Sequence, residues 1–107
     1  RFCWLIVMKR IAVNVRPERV DDLVSVLRSL GLETTIYDVK GAGKEKEGVH
    51  AGKMGTTLQA YTTRKLVATI VDSANAQEVI GAIKGELAGK PGRAIIIVSP
   101  VEELIEV

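Results

Sequence analysis

"RIAVNVRPERVDDLVSVLRSLGLETTIYDVKG", residues 10–41, changes its apolar spacing twice. Residues 10–15 alternate and are rich in β-branched side chains, which predicts a strand. From Pro17 onward the period lengthens: Val20, Leu23, Val24, Leu27 and Leu30 fall at helical spacing on one face. Pro17 suits the approach to a helix start, and Gly31 stands where a left-handed cap would close it. Residues 33–41, "ETTIYDVKG", return to strand composition. The stretch therefore reads as strand, helix, strand.

The second half of the chain repeats this order. "KLVATIVD" (65–72) predicts a strand, and residues 74–87 predict a helix with Ala76, Val79, Ile80, Ile83 and Leu87 inward. Asn75, with Glu78 three residues later, has the spacing of a capping box. "AGKPG" breaks that helix, and "RAIIIVS" (93–99) predicts a last strand. Two βαβ halves with right-handed crossovers give a four-stranded antiparallel sheet with both helices on one face. The expected class is α+β, a ferredoxin-like βαββαβ sandwich. Its other sheet face would carry Ile11, Val13, Val67 and Thr69 or their neighbours, depending on register. Nothing remains to cover that face, which predicts self-association.

Composition narrows the function. The 107 residues suit one domain, with 47% hydrophobic and 26% charged residues, so the chain is expected to fold rather than remain disordered. A net charge of +2 and four aromatic residues give little footing for nucleic acid. Cys3 is the lone cysteine and His50 the lone histidine, so neither a disulfide nor a metal cluster is expected, and the compartment implied is cytoplasmic. Residues 1–7 are apolar but too short for a membrane span and lack the parts of a signal peptide. Met8 reads as a natural start: the domain is expected over 8–107, with 1–7 a non-native or extended segment.

Between the halves, residues 42–58 carry Gly43, Gly48, Gly52 and Gly55 and no clear period. Long loops of this kind in small domains usually carry function. After Gly41, successive backbone amides with Gly43, Lys44, Glu45 and Lys46 could form an anion-binding concavity. A solvated loop base explains the same residues. No Ser/His/Asp arrangement or paired-carboxylate motif stands out, so catalysis is not expected. A small hydrolase of acyl or nucleotide phosphates, using Asn14 and Arg16, is the competing class, but the glycine-rich turn it needs before the first helix is missing.

"RPERVDDLVSVLRSLGL", "YDVKGAGKEK", "AQEVIGAI" and "GKPGRAIIIVSPVEELIEV" resemble the PII signal-transduction proteins, in register from about Met8 to Val107. The resemblance implies a homotrimer that binds adenine nucleotide between subunits and engages a transporter or enzyme through its T-loop, here residues 42–58. It places Thr35 at the adenine base and Ile70 in the adenine slot. Gly41, Gly43 and Lys44 fall at the T-loop base, and Gly89, Lys90, Gly92 and Arg93 in the phosphate-binding B-loop. Glycines let backbone N–H groups approach a phosphate, and the two cations add charge.

The departures point to a divergent member. Arg93, Ala94 and Ile95 stand where the family has aspartate, glycine and lysine, and Glu106 stands where it has a phosphate-binding arginine. Lost charge-assisted contacts of about 1.5–3 kcal/mol each favour ADP or AMP over ATP. Glu45 replaces a glutamine that helps hold magnesium and 2-oxoglutarate, and Arg64 stands near the lysine that pairs with that ligand. No tyrosine lies between Gly43 and Gln59 to accept a nucleotidyl group. The expected ligands are ADP, AMP or ATP with a small anion such as bicarbonate. A nitrogen-regulatory PII answering to ATP and 2-oxoglutarate is the alternative within the family.

Overall fold

A computed structural model describes residues 7–42, 50–51, 57–58 and 61–107. Strand β1 (Met8–Val15) leads through a 3₁₀ turn (Pro17–Arg19) into helix α1 (Val20–Ser29), and strand β2 (Thr35–Gly41) follows. Two short strands, β3 (His50–Ala51) and β4 (Thr57–Leu58), pair with each other within the predicted loop. Strand β5 (Thr62–Asp72), a 3₁₀ turn (Ser73–Asn75), helix α2 (Ala76–Leu87) and strand β6 (Ile95–Val101) complete the order. The main sheet is antiparallel with strand order β2-β5-β1-β6. This is the expected ferredoxin-like arrangement. Among the described residues, no helix is long and apolar enough to cross a membrane.

The register settles which sheet face is covered. Ile11, Val13, Val15, Val67 and Val71 are buried in one cluster with Val20, Leu23 and Leu27 of α1 and Val79 and Ile83 of α2. Burying each such side chain contributes about 1.5–3 kcal/mol, so this layer holds the helices on the sheet. Ile11, Val13, Val67 and Thr69, named above as candidates for the open face, therefore point to the helices. Their neighbours take the open face instead, in cross-strand rows: Thr35, Ala68, Ala12 and Ile97 in one, Tyr37, Leu66, Asn14 and Ile95 in the next.

Local signals decide the helix ends. Gly31, at φ +78°, lets Leu32 N–H donate to the Leu27 carbonyl at 3.0 Å and Gly31 N–H to that of Arg28 at 2.9 Å. These are the two bonds of a Schellman cap, and Leu32 returns to pack on the core. Leu30, expected inward, is the capping residue and stays 38% exposed. The capping box at Asn75 does not form. Asn75 has helical backbone angles and no side-chain cap bond, because the 3₁₀ turn already feeds the helix through Ala76 N–H to the Ser73 carbonyl. Strand β6 begins at Ile95 rather than Arg93, which leaves Arg93 and Ala94 in the preceding turn.

Candidate functional site

The singled-out residues fall into two groups at opposite ends of the sheet. Thr35 and Ile70 line a cleft of about 530 Å³ together with Met8, Arg10, Tyr37 and Ala68, and Glu106 of the C-terminal segment lines it too. Register explains the assembly. Thr35 pairs with Ala68 across β2 and β5, and Arg10 pairs with Ile70 across β1 and β5. The Arg10 guanidinium carbon lies 6.0 Å from the centre of the Tyr37 ring, at cation–π range. Composition gave no hint of Arg10 or Tyr37. Their positions in the strand alternation, once register is fixed, would have found them.

The second group gathers around the turn between α2 and β6. Gly89 (φ +73°) reverses the chain after α2, and Gly92 (φ +99°) lies against Arg16. Lys90, Gly92 and Arg93 line a small hollow with Arg16 and Arg19. The ammonium of Lys90 donates to Glu86 Oε2 and reaches Asp22 Oδ2 at 3.5 Å, tying α2 to α1. The bond to Glu86 holds the Lys90 pKa above its ordinary value, with the Glu86 and Asp22 charges adding to it against partial desolvation. Lys90 is thus cationic at neutral pH but already engaged by carboxylates.

Arg64 joins this turn to the sheet. Its guanidinium is buried, and Nε donates to Asn14 Oδ1 at 2.6 Å. Nη2 donates to the Asn14 carbonyl at 3.1 Å and to the Arg93 carbonyl at 2.6 Å. Gly41 ends β2 beside it: a β-carbon there would meet Arg64 Cδ at 3.6 Å, an ordinary contact. The Asn14–Arg64–Arg93 set was not foreseen, since nothing in residues 14, 64 and 93 marks them as neighbours before strands β1 and β5 are paired.

Gly43, Lys44, Glu45 and Lys46 lie outside the described residues. Arg64 and Ile70 are six residues apart on β5, which at about 3.3 Å per residue separates the two groups by about 20 Å along the sheet. Among the described residues, no group of three or more His, Cys, Asp or Glu could hold a metal ion.

The geometry is that of a ferredoxin-like domain with a long excursion between β2 and β5 and a glycine turn before its last strand. The model of the family "Nitrogen regulatory protein P-II" matches residues 8–107, and the chain belongs to that family. It is 28% identical over 102 residues to a nitrogen regulatory protein P-II of Rhizobium meliloti (strain 1021), covering 94% of this chain and 91% of the relative. It is 29% identical over 97 residues to the nitrogen fixation nifHD region GlnB-like protein 1 of Methanothermococcus thermolithotrophicus, covering 90% of each. The fold is similar to that of Arabidopsis thaliana PII bound to citrate, with a TM-score of 0.71 at 24% identity over 94% of this chain and 83% of that one. A B. subtilis GlnK–ATP complex gives 0.66 at 20% identity over 92% and 85%. Family membership makes the chain a signalling regulator rather than an enzyme, which disposes of the hydrolase reading.

Proposed function

We propose that the protein is a cytoplasmic homotrimeric regulator that binds an adenine nucleotide in clefts completed between subunits. Binding changes how residues 42–58 engage a transporter or enzyme. The observation that carries this reading is the separation of the two groups. A nucleotide that uses both the Thr35/Ile70 cleft and the Gly89–Arg93 turn needs them from different copies, because one copy holds them about 20 Å apart. The open sheet face, with Ile97 52% and Tyr37 44% exposed, supplies apolar surface for that association.

ADP or AMP is favoured over ATP. Ala94 and Ile95 bring no charge to the turn, Lys90 is held by Glu86, and Glu106 adds a carboxylate beside the cleft. Gly41, Gly43 and Lys44 would complete the phosphate end, with Gly43, Lys44, Glu45 and Lys46 taking a small anion such as bicarbonate. The ATP of the GlnK complex and the citrate of the Arabidopsis protein show what two similar proteins hold. A 2-oxoglutarate response is disfavoured by the bonds that occupy Arg64.

Calorimetric titration with ATP, ADP and AMP, each with and without bicarbonate or 2-oxoglutarate, tests the reading alongside the solution mass. A trimer with heat for ADP and AMP is expected. A protomer mass, or no heat with any nucleotide, overturns it.

A further inference from the structure

We propose that Arg64 is a positioning residue that couples the base of the 42–58 excursion to the turn that precedes β6. Its strand, β5, begins at Thr62, just after the excursion, and its aliphatic stem lies beside Gly41, just before it. Its head grips the Arg93 carbonyl at 2.6 Å. One 4% exposed side chain, carried by the strand that follows the excursion, therefore lies beside the glycine that precedes it and is bonded to the turn.

The bond to Arg93 constrains more than one atom. The 93–94 peptide is trans, so a carbonyl held toward Arg64 sends the Ala94 N–H the opposite way. That peptide cannot rotate without breaking a charge-assisted bond, about twice as strong as a neutral one. Ala94 and Ile95 have no polar side chains, so the backbone amides are what these two positions offer an anion. The direction of the Ala94 amide is set by Arg64, and Arg64 is in turn fixed against β1 by Asn14 through Nε at 2.6 Å. Any movement of the β2 and β5 ends that displaces the guanidinium releases the 93–94 peptide as well. The reverse also holds, since coupling between two sites is reciprocal.

This inference rests on the nucleotide reading for its ligand but not for its geometry, and the test separates the two. Amide hydrogen exchange of the full chain is compared for wild type, Arg64→Met and Arg64→Lys, with ADP titrated into each. In Arg64→Met, exchange at residues 39–42 and at 92–95 should rise together, by about tenfold, while α1 and α2 keep their protection. The ADP dissociation constant should rise about tenfold, because the 93–94 peptide is no longer held in one orientation before the ligand arrives. Arg64→Lys, which keeps the charge but not the fork, should fall between. Should the methionine variant not fold, the lysine variant is judged by the same joint rise. A rise in only one segment, or wild-type exchange in both, overturns the coupling. Wild-type ADP affinity in both variants overturns the positioning role. If the wild type itself binds no nucleotide, the nucleotide reading falls, while the joint rise or its absence still decides the coupling.

Discussion

Gly92 lies so close to Arg16 that a β-carbon built on it would stand 3.0 Å from both Cδ and Nε of that side chain. Its φ of +99° adds a backbone conformation that L-residues rarely adopt. A side chain at 92 would therefore need Arg16 to give way by a few tenths of an ångström, on top of a strained backbone. Gly31 also has positive φ (+78°), but a β-carbon there would meet nothing within 4 Å. Gly92→Ala should destabilise by about 1–3 kcal/mol, and more than Gly31→Ala. Urea unfolding at one fixed protomer concentration measures the difference. An equal cost for the two variants would mean that Arg16 moves aside freely.

Lys90 leads to a prediction of opposite sign. Its contacts with Glu86 and Asp22 are made at the surface of the α2 terminus, where the lysine side chain is 32% exposed. Exposed pairs of this kind contribute little to stability, because solvent screens them. Glu86→Gln should leave stability nearly unchanged and free the ammonium for an incoming phosphate, tightening ADP two- to fivefold by titration. The pH dependence follows from the direction of the shift. The Lys90 pKa is raised above 10.5, so the pairing is fully present below that value and is lost as pH climbs through the higher folded one. Lys90 therefore adds no inflection to stability or ADP affinity between pH 7 and 9. An inflection in that window that disappears in Lys90→Met would contradict this assignment.

The change of apolar period at Pro17, and its repetition after Asp72, was enough to place strands and helices in order. Gly31 even marked its own cap, because a Schellman motif is local and its hydrogen bonds span only a few residues. Failures arose where the answer depended on pairing. Whether Ile11 or Ala12 faces the helices is a matter of one-residue register, which alternation alone leaves open. Likewise, Arg64, which the resemblance sets near a ligand-pairing lysine, shows its partners only once β5 lies beside β1 and brings Asn14 within 2.6 Å. The capping box failed for a different reason: a 3₁₀ turn supplied the first helical bond, so Asn75 had no need to act as a cap. Two-residue strands such as β3 and β4 are too short to show any period.

Ile97 tests the association face. It is 52% exposed and closes the row that runs through Thr35, Ala68 and Ala12, in which both alanines are buried. An aspartate there would carry an unpaired charge into any interface formed by this face, a strongly destabilising placement. Ile97→Asp should lower the solution mass toward that of one protomer, while far-UV circular dichroism keeps the βαββαβ signature. Retention of the wild-type mass would show that association, if any, uses another surface.

Glu106 provides the sharpest test of nucleotide preference. It lines the same cleft as Arg10, Thr35 and Ile70, and it stands where the resemblance sets a phosphate-binding arginine; under the proposed function its carboxylate faces the phosphate chain of a nucleotide shared between copies. The penalty should grow with the charge of that chain, and thus weigh most on ATP and least on AMP. A unit charge 4 Å away at an effective dielectric near 20 is worth about 4 kcal/mol, and solvent near an open cleft reduces this several-fold. Glu106→Arg replaces repulsion by attraction. It should tighten ATP at least about tenfold and AMP less than about threefold, and added salt should shrink the gap. Calorimetry at two ionic strengths measures both effects. If ATP and AMP shift equally, the substitution acts by repacking Leu104 and Ile105 along the cleft wall, and charge at position 106 does not select the nucleotide.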